Sequence, residues 1–230
     1  IRDIYVRELA DVERGGRLLD ECLAVIEKPM RIADSLVGCY MESGSKRALK
    51  VAVDEVESYG ERVFAGVVDP NELGGFSCLK SGYNFFHWAL EFPEVFDPDR
   101  SGFDAVLGNP PYINAVSMYS DVGSEKVKRF LKIAYASASG SYDIYVVFLE
   151  LATKILRHGG RYGFVVPNKV MSAEYAESVR ECLSKSNSIE SIIDYSKVRV
   201  FSASVYPVVL VGLKGLSHKP VVVVDAVKNS

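Results

Sequence analysis

An α/β fold carrying a helical amino-terminal segment is predicted by three features of this sequence. Residues 1 to about 60 are rich in charged, helix-forming side chains with apolar residues in a helical rhythm. From about residue 61 the texture changes to short apolar runs punctuated by Gly, Pro and Asp. Beyond residue 103 those runs alternate with helical patterns, the strand-helix-strand grammar of an α/β sheet. A chain of 230 residues with 48% hydrophobic side chains can bury a sizeable core, which fits one large domain, or one domain plus a small appendage, and excludes disordered and collagen-like classes.

The elements follow in chain order. Leu18, Leu19, Leu23 and Ile26 share one helical stripe, and Leu49, Val53 and Val56 another, so two or more helices are expected. Pro29 is expected to interrupt this region, and Ser43-Gly44-Ser45 to form the loop between helices. Division near residue 64 is predicted, with a helical segment over 1–64 and the main domain over 65–230. Phe103 to Gly108 reads as a short buried strand that stops at Asn109-Pro110-Pro111-Tyr112, where two prolines forbid further ladder bonds. Ile144, Phe148, Leu151 and Ile155 predict one buried helix face, entered through Ser141 and Asp143 and closed by Gly159-Gly160 as a glycine stop. Arg161 to Val166 is a strand ending at Pro167, followed by a helix from about Ala173 to Leu183. Ile189 to Tyr195 and Val205 to Leu213 complete the strands. In sheets of parallel strands, ligands sit outside the carboxyl ends, which is where residues 109–112 would lie.

Composition narrows the function. With 27 Lys+Arg against 30 Asp+Glu and a net charge of -3, bulk charge does not drive nucleic-acid binding, so any such contact needs a local basic face. Cys22, Cys39, Cys78 and Cys182 lie far apart, without metal or disulfide spacing. His87, His158 and His218 form no triad or ligand pattern, so no metal is expected. No apolar run approaches the roughly 20 residues of a membrane helix, and a soluble, cytoplasmic protein is expected. The chain begins at Ile1 with no export signal and reads as excised from a longer polypeptide.

Asn109-Pro110-Pro111-Tyr112 carries the chemistry. The amine of a planar base is a poor nucleophile because its lone pair is delocalised into the ring. Two acceptors that grip its N–H bonds draw the nitrogen toward pyramidal geometry and aim the lone pair at an electrophile. The Asn109 side-chain oxygen and the Pro110 carbonyl are such acceptors, with prolines 110 and 111 stiffening the loop and Tyr112 offering a flat face for stacking. The competing structural reading is a proline-stiffened turn after a strand, and the apolar run before the motif favours the chemical one.

FDAVLGNPPYI resembles the catalytic motif of the amino-group DNA methyltransferases. Together with HWALEFPEVF (His87 to Phe96), it resembles the large adenine-N6 methyltransferases of type II restriction-modification systems. The likeness runs from about residue 84 to 213. It includes Tyr142 to Asn168, with an Asp-hydrophobic-Tyr start and Pro-Asn end, and Val198 to Leu213, where Phe201 occupies the position that faces the tyrosine across an extruded adenine. The resemblance implies part of a Rossmann-like class I methyltransferase sheet and S-adenosylmethionine as cofactor. It implies catalytic roles for Asn109, Pro110, Pro111 and Tyr112, substrate stacking by Tyr112 and Phe201, and contact of Asn109 and Pro110 with the cofactor. The partner it implies is double-stranded DNA with one adenine flipped out, and a nuclease and a target-recognition domain are further modules of such systems.

One departure is plain. The family's glycine-rich, cofactor-gripping turn has no counterpart before Asn109: Gly15-Gly16 lies in a charged helical region, and Gly74-Gly75 follows no convincing strand. The chain therefore reads as the carboxyl-side part of a catalytic domain, inactive by itself. Three alternatives stay open: methylation of an RNA base, methylation of a protein glutamine, and a non-catalytic DNA-binding or assembly fragment. Lys126, Lys128, Arg129 and Lys132 could meet DNA phosphates or form a solvated helix face. Trp88 with Phe85, Phe86 and Phe92 reads as core more readily than as a base-stacking platform. Asp143 and Tyr145 lie near the pocket by family analogy, although Asp143 equally suits a helix cap.

Overall fold

A computed structural model of the chain describes residues 9–68, 85–118, 124–198, 206–217 and 219–226. It divides into two compact units, Ile1–Glu91 and Phe92–Ser230.

In the first unit, α1 (Leu9–Glu42) and α2 (Lys46–Phe64) pack side by side, and a short turn of helix, α3 (Trp88–Glu91), follows. Ser45 caps α2 by accepting the Ala48 N–H at 3.2 Å, which places the loop where Ser43-Gly44-Ser45 predicts it. Pro29 does not interrupt the region: α1 runs unbroken through it. A proline inside a helix costs about 3 kcal/mol or more in a lost hydrogen bond and ring crowding, and burial of Cys39, Met41, Val56 and Val63 in this unit offsets it. Gly60 on α2 matters here because a Cβ would meet the Ile32 side chain of α1 at 3.4 Å.

The second unit is α/β. Five strands, β1 (Phe103–Gly108), β2 (Leu156–Pro167), β3 (Asn187–Asp194), β4 (Pro207–Lys214) and β5 (Val222–Asp225), form one sheet in the order β1-β2-β4-β3-β5. β1 is parallel to β2 and β3 to β5, whereas β4 runs antiparallel to both β2 and β3, so the sheet is mixed. β1, β2, β3 and β5 therefore end at one edge of the sheet. Helices α4 (Ala115–Met118), α5 (Ser124–Ala134), α6 (Tyr145–Ile155) and α7 (Glu177–Lys185) occupy the connections. No helix among the described residues is long and apolar enough to cross a membrane.

Three expectations change. Gly159-Gly160 does not stop a helix: α6 ends at Ile155, Leu156 is already extended, and both glycines lie inside β2. Phe103 pairs with Leu156 but Ala105 with Arg161, so β2 bulges between them. Gly159 takes φ +79 there, and a Cβ on Gly160 would lie 2.8 Å from the Phe103 carbonyl. Second, α6 is buried nearly all round, with Tyr145, Val146, Val147, Leu149 and Ala152 in the core, while Phe148 of the predicted face is 39% exposed. Packed by both β2 and α7, this helix keeps only a narrow exposed strip at Phe148 and Lys154, too little for periodicity to mark. Third, the helix expected from Ala173 begins as a 3₁₀ turn over Glu174–Ala176 before α7 proper.

Glu150 shows how the core admits a charge. Its carboxylate accepts the N–H groups of Ala136 (3.2 Å) and Ser137 (2.8 Å) and meets Lys154 at 3.0 Å. Burial pushes its pKa up, but the bond from Ser137 and the Lys154 ammonium outweigh burial and hold it below the ordinary value of 4.5. A depressed folded pKa means the stabilisation is present above that ordinary value and is lost as pH falls through the folded one. Denaturant unfolding followed between about pH 5 and 3 is expected to show a steeper loss of stability for the native protein than for Glu150→Gln.

Candidate active site

β1 delivers the motif to the carboxyl edge of the sheet. Its ladder with β2 ends at the Gly108–Phe164 pair. Gly108 permits that ending, since a Cβ there would lie 2.7 Å from the buried Phe164 ring. Prolines 110 and 111 then have no N–H to continue the ladder. The Tyr112 hydroxyl takes over, lying 3.0 Å from the Val165 carbonyl of β2 and 3.0 Å from Asn109 Oδ1. One hydroxyl proton serves two acceptors, so each bond is shared. Burial raises the Tyr112 pKa, which keeps the hydroxyl a donor.

Asn109 is exposed, Pro110 buried, Pro111 exposed and Tyr112 half-buried. Among the described residues no N–H or O–H is bonded to the Pro110 carbonyl. The motif thus presents one amide oxygen and one backbone carbonyl, backed by a tyrosine ring whose far end is tied to the sheet. Nearby on the same edge, Asn168 at the end of β2 donates to Ser196 Oγ at 3.2 Å. Ser196 in turn bonds Asp194 at the end of β3 and holds that carboxyl below the usual range.

Downstream of the motif, Ala115 N–H bonds the Tyr142 carbonyl at 2.8 Å and Ile144 N–H bonds the Ile113 carbonyl at 2.9 Å. Asp143 is not a helix cap: the N-cap of α6 is Ile144, without a side-chain bond. Its carboxylate is already engaged by Tyr175 Oη at 2.7 Å and by Asn114 Nδ2 at 3.3 Å. Tyr145 is fully buried in the core, with its hydroxyl 3.2 Å from that of Tyr175. Neither Asn114 nor Tyr175 was marked by the sequence; Asn114 stands two residues from Tyr112, whereas nothing local distinguishes Tyr175.

Of the other suspected residues, Phe201 lies outside the described residues, as do Gly74-Gly75, Cys78 and His218, and the Cys22 side chain. Lys126, Lys128, Arg129 and Lys132 all fall on α5, where Arg129 and Lys132 are exposed and Lys128 pairs with Glu125 at 3.6 Å. Phe86 and Trp88 meet edge to face at 4.9 Å in the first unit. Phe92 belongs to the second unit, is half-buried and packs edge to face on Phe103 at 5.4 Å. His87 bonds Asp34 at 2.7 Å. No group of three or more potential metal ligands occurs among the described residues.

The chain is similar to several known proteins. The type II methyltransferase M.BanIII of Aneurinibacillus aneurinilyticus is 30% identical over 152 residues, 64% of this chain and 25% of that protein. The type II restriction enzyme and methyltransferase RM.Eco57I of Escherichia coli is 28% identical over 134 residues, 58% of this chain and 13% of that protein. The chain thus spans a quarter or less of the length of these two relatives. Among solved structures, the type IIG restriction endonuclease BpuSI matches 54% of this chain and 15% of its own at 24% identity, with a TM-score of 0.42. Residues 56–201 match the family described as Eco57I restriction-modification methylase, a span that includes β1, the whole motif and β2, and the chain belongs to that family.

Proposed function

We propose that this chain is the carboxyl-side part, over 65–230, of the catalytic domain of a type II restriction-modification methyltransferase that methylates adenine N6 in DNA, with the helical segment 1–64 as an insertion before it. The observation that carries the reading is the pair of acceptors at the carboxyl end of β1: the exposed Asn109 amide oxygen and the Pro110 carbonyl, to which no described donor is bonded. Asn109 and Pro110 each accept one N–H of the adenine amine and so turn its lone pair toward the methyl donor. As the amine takes the Asn109 oxygen, the Tyr112 hydroxyl keeps the Val165 carbonyl, so no buried donor is left unpaired. Pro111 stiffens the loop, and the Tyr112 ring stacks on one face of the flipped base, with Phe201 assigned to the other.

S-adenosylmethionine, when bound, supplies the electrophilic methyl group. Asn109 and Pro110 suit its reacting end. Its main anchor, a glycine-rich turn after a strand, is not found among the described residues, where only helices precede β1. The 230-residue chain by itself is therefore expected to bind S-adenosylmethionine weakly and to transfer no methyl group, because a few contacts do not offset several kcal/mol of lost translational and rotational freedom. Calorimetric titration checks this, and micromolar affinity would place a cofactor site in this chain.

Target class is tested with the longer polypeptide that carries this chain, by comparing incorporation of labelled methyl groups into duplex DNA, RNA and protein. Incorporation at adenine N6 of DNA supports the proposal. Label in RNA or in a glutamine amide would overturn it, since the same two acceptors grip any planar amine.

A further inference from the structure

We infer that Tyr175 and Asp143 are positioning residues that hold the Asn109–Tyr112 loop in place from its downstream side, an inference resting on the function proposed above. The motif is fixed upstream by β1, and prolines 110 and 111 have no backbone N–H with which to tie it elsewhere. What fixes it downstream lies two residues beyond Tyr112. There the Asn114 side chain donates to Asp143 Oδ1 at 3.3 Å and reaches Ser141 Oγ at 3.3 Å. The backbones of 113–115 and 142–144 are laced by the Ala115–Tyr142 and Ile144–Ile113 bonds.

Proton counting orders this network. Tyr175 has one hydroxyl hydrogen, and the 2.7 Å bond to the Asp143 carboxylate takes it. Tyr145 must therefore donate to Tyr175 across their 3.2 Å contact. The chain of donors runs from the fully buried Tyr145 through Tyr175 to Asp143, which also receives Asn114. Tyr175 is itself held firmly. It stands in the 3₁₀ turn before α7, and Arg180 of α7 clamps that segment by donating to the Val170 and Ala173 carbonyls at 3.2 and 2.6 Å. Two side chains about sixty residues apart, Asn114 and Tyr175, thus converge on the two oxygens of one carboxylate. A carboxylate that merely capped α6 would use none of these partners.

The test uses Tyr175→Phe, which keeps the ring packed on Tyr145 and removes only the donor. Amide hydrogen exchange of the 230-residue chain is expected to accelerate about 10- to 100-fold at Ala115 and Ile144, the loss attached to one charge-assisted bond, with β2 and β4 amides unchanged as the folding control. In the methylating polypeptide, kcat is expected to fall about tenfold or more with little change in KM for DNA, because misplacement of reacting groups penalises the chemical step. Unchanged exchange at Ala115 and Ile144 overturns the inference whatever the activity. Faster exchange with unaltered kcat also overturns it, since the loop would then not need the support. A native protein without methyl transfer to any substrate would instead sink the functional proposal, a result separable from either of these.

Discussion

In the longer methylating polypeptide, Asn109→Ala is expected to lower single-turnover methyl transfer by roughly 10²- to 10³-fold, the usual cost of one preorganised polar contact made in the transition state. The side chain is exposed, so its loss leaves no cavity, and stability should stay within about 0.5 kcal/mol of the native protein. Tyr112 retains the Val165 carbonyl at 3.0 Å when its Asn109 partner is gone, so the loop keeps its tie to β2. Activity and stability therefore separate in this variant. Cofactor affinity should change less than the rate, because in the proposed function the amide oxygen acts on the substrate amine and not on the cofactor. Near-normal turnover would remove Asn109 from the chemistry and leave the motif as a stiff turn.

Gly102→Ala should have the largest effect on folding. Gly102 enters β1 with φ +136, and its N–H bonds the Val95 carbonyl at 2.9 Å. A Cβ at that position would lie 2.6 Å from both the Arg157 nitrogen and the Ile155 carbonyl oxygen, the junction where α6 turns into β2. These are backbone atoms, which cannot rotate away. Strained backbone at about 1–3 kcal/mol and overpacking at about 1–3 kcal/mol add to roughly 3 kcal/mol or more. For a unit of this size that lowers Tm by about 10 °C. Gly140→Ala provides the comparison: its φ is +66, but nothing lies within 4 Å of the added Cβ, so only the dihedral cost remains. Equal losses in the two variants would show that steric crowding at the β1–β2 junction is not what Gly102 prevents.

Both substitutions touch the same device from opposite ends. Gly102 lets β1 lie tightly beside β2, and Asn109 stands where β1 runs out. The sheet presents the motif's two acceptors, and anything that shifts β1 along β2 moves them relative to the Tyr112 anchor on Val165. In the longer methylating polypeptide, a partly folded Gly102 variant should therefore lose methyl transfer before it loses all secondary structure.

The sequence alone was enough for whatever depends on neighbouring residues. An apolar run halted by two prolines places a strand and a rigid polar loop, and that is where β1 and the motif stand. Ser43-Gly44-Ser45 between two helical stripes places a loop, and α1 and α2 stand on either side of it. Only the tertiary structure decided the rest. β4 runs antiparallel because its direction follows from where β3 leaves it and which faces must be buried, and no local pattern carries that information. α6 defeats a periodicity argument because it is buried nearly all round, and Gly159-Gly160 mark a bulge because of a carbonyl contributed by Phe103, more than fifty residues earlier. Asp143 looks like a cap until Tyr175, thirty-two residues on, takes its oxygen. Spacing along the chain reports backbone geometry and amphipathic faces. A hydrogen bond between distant residues exists only once the burial of many other side chains has brought them within 3 Å, so the support of this site becomes legible only in three dimensions.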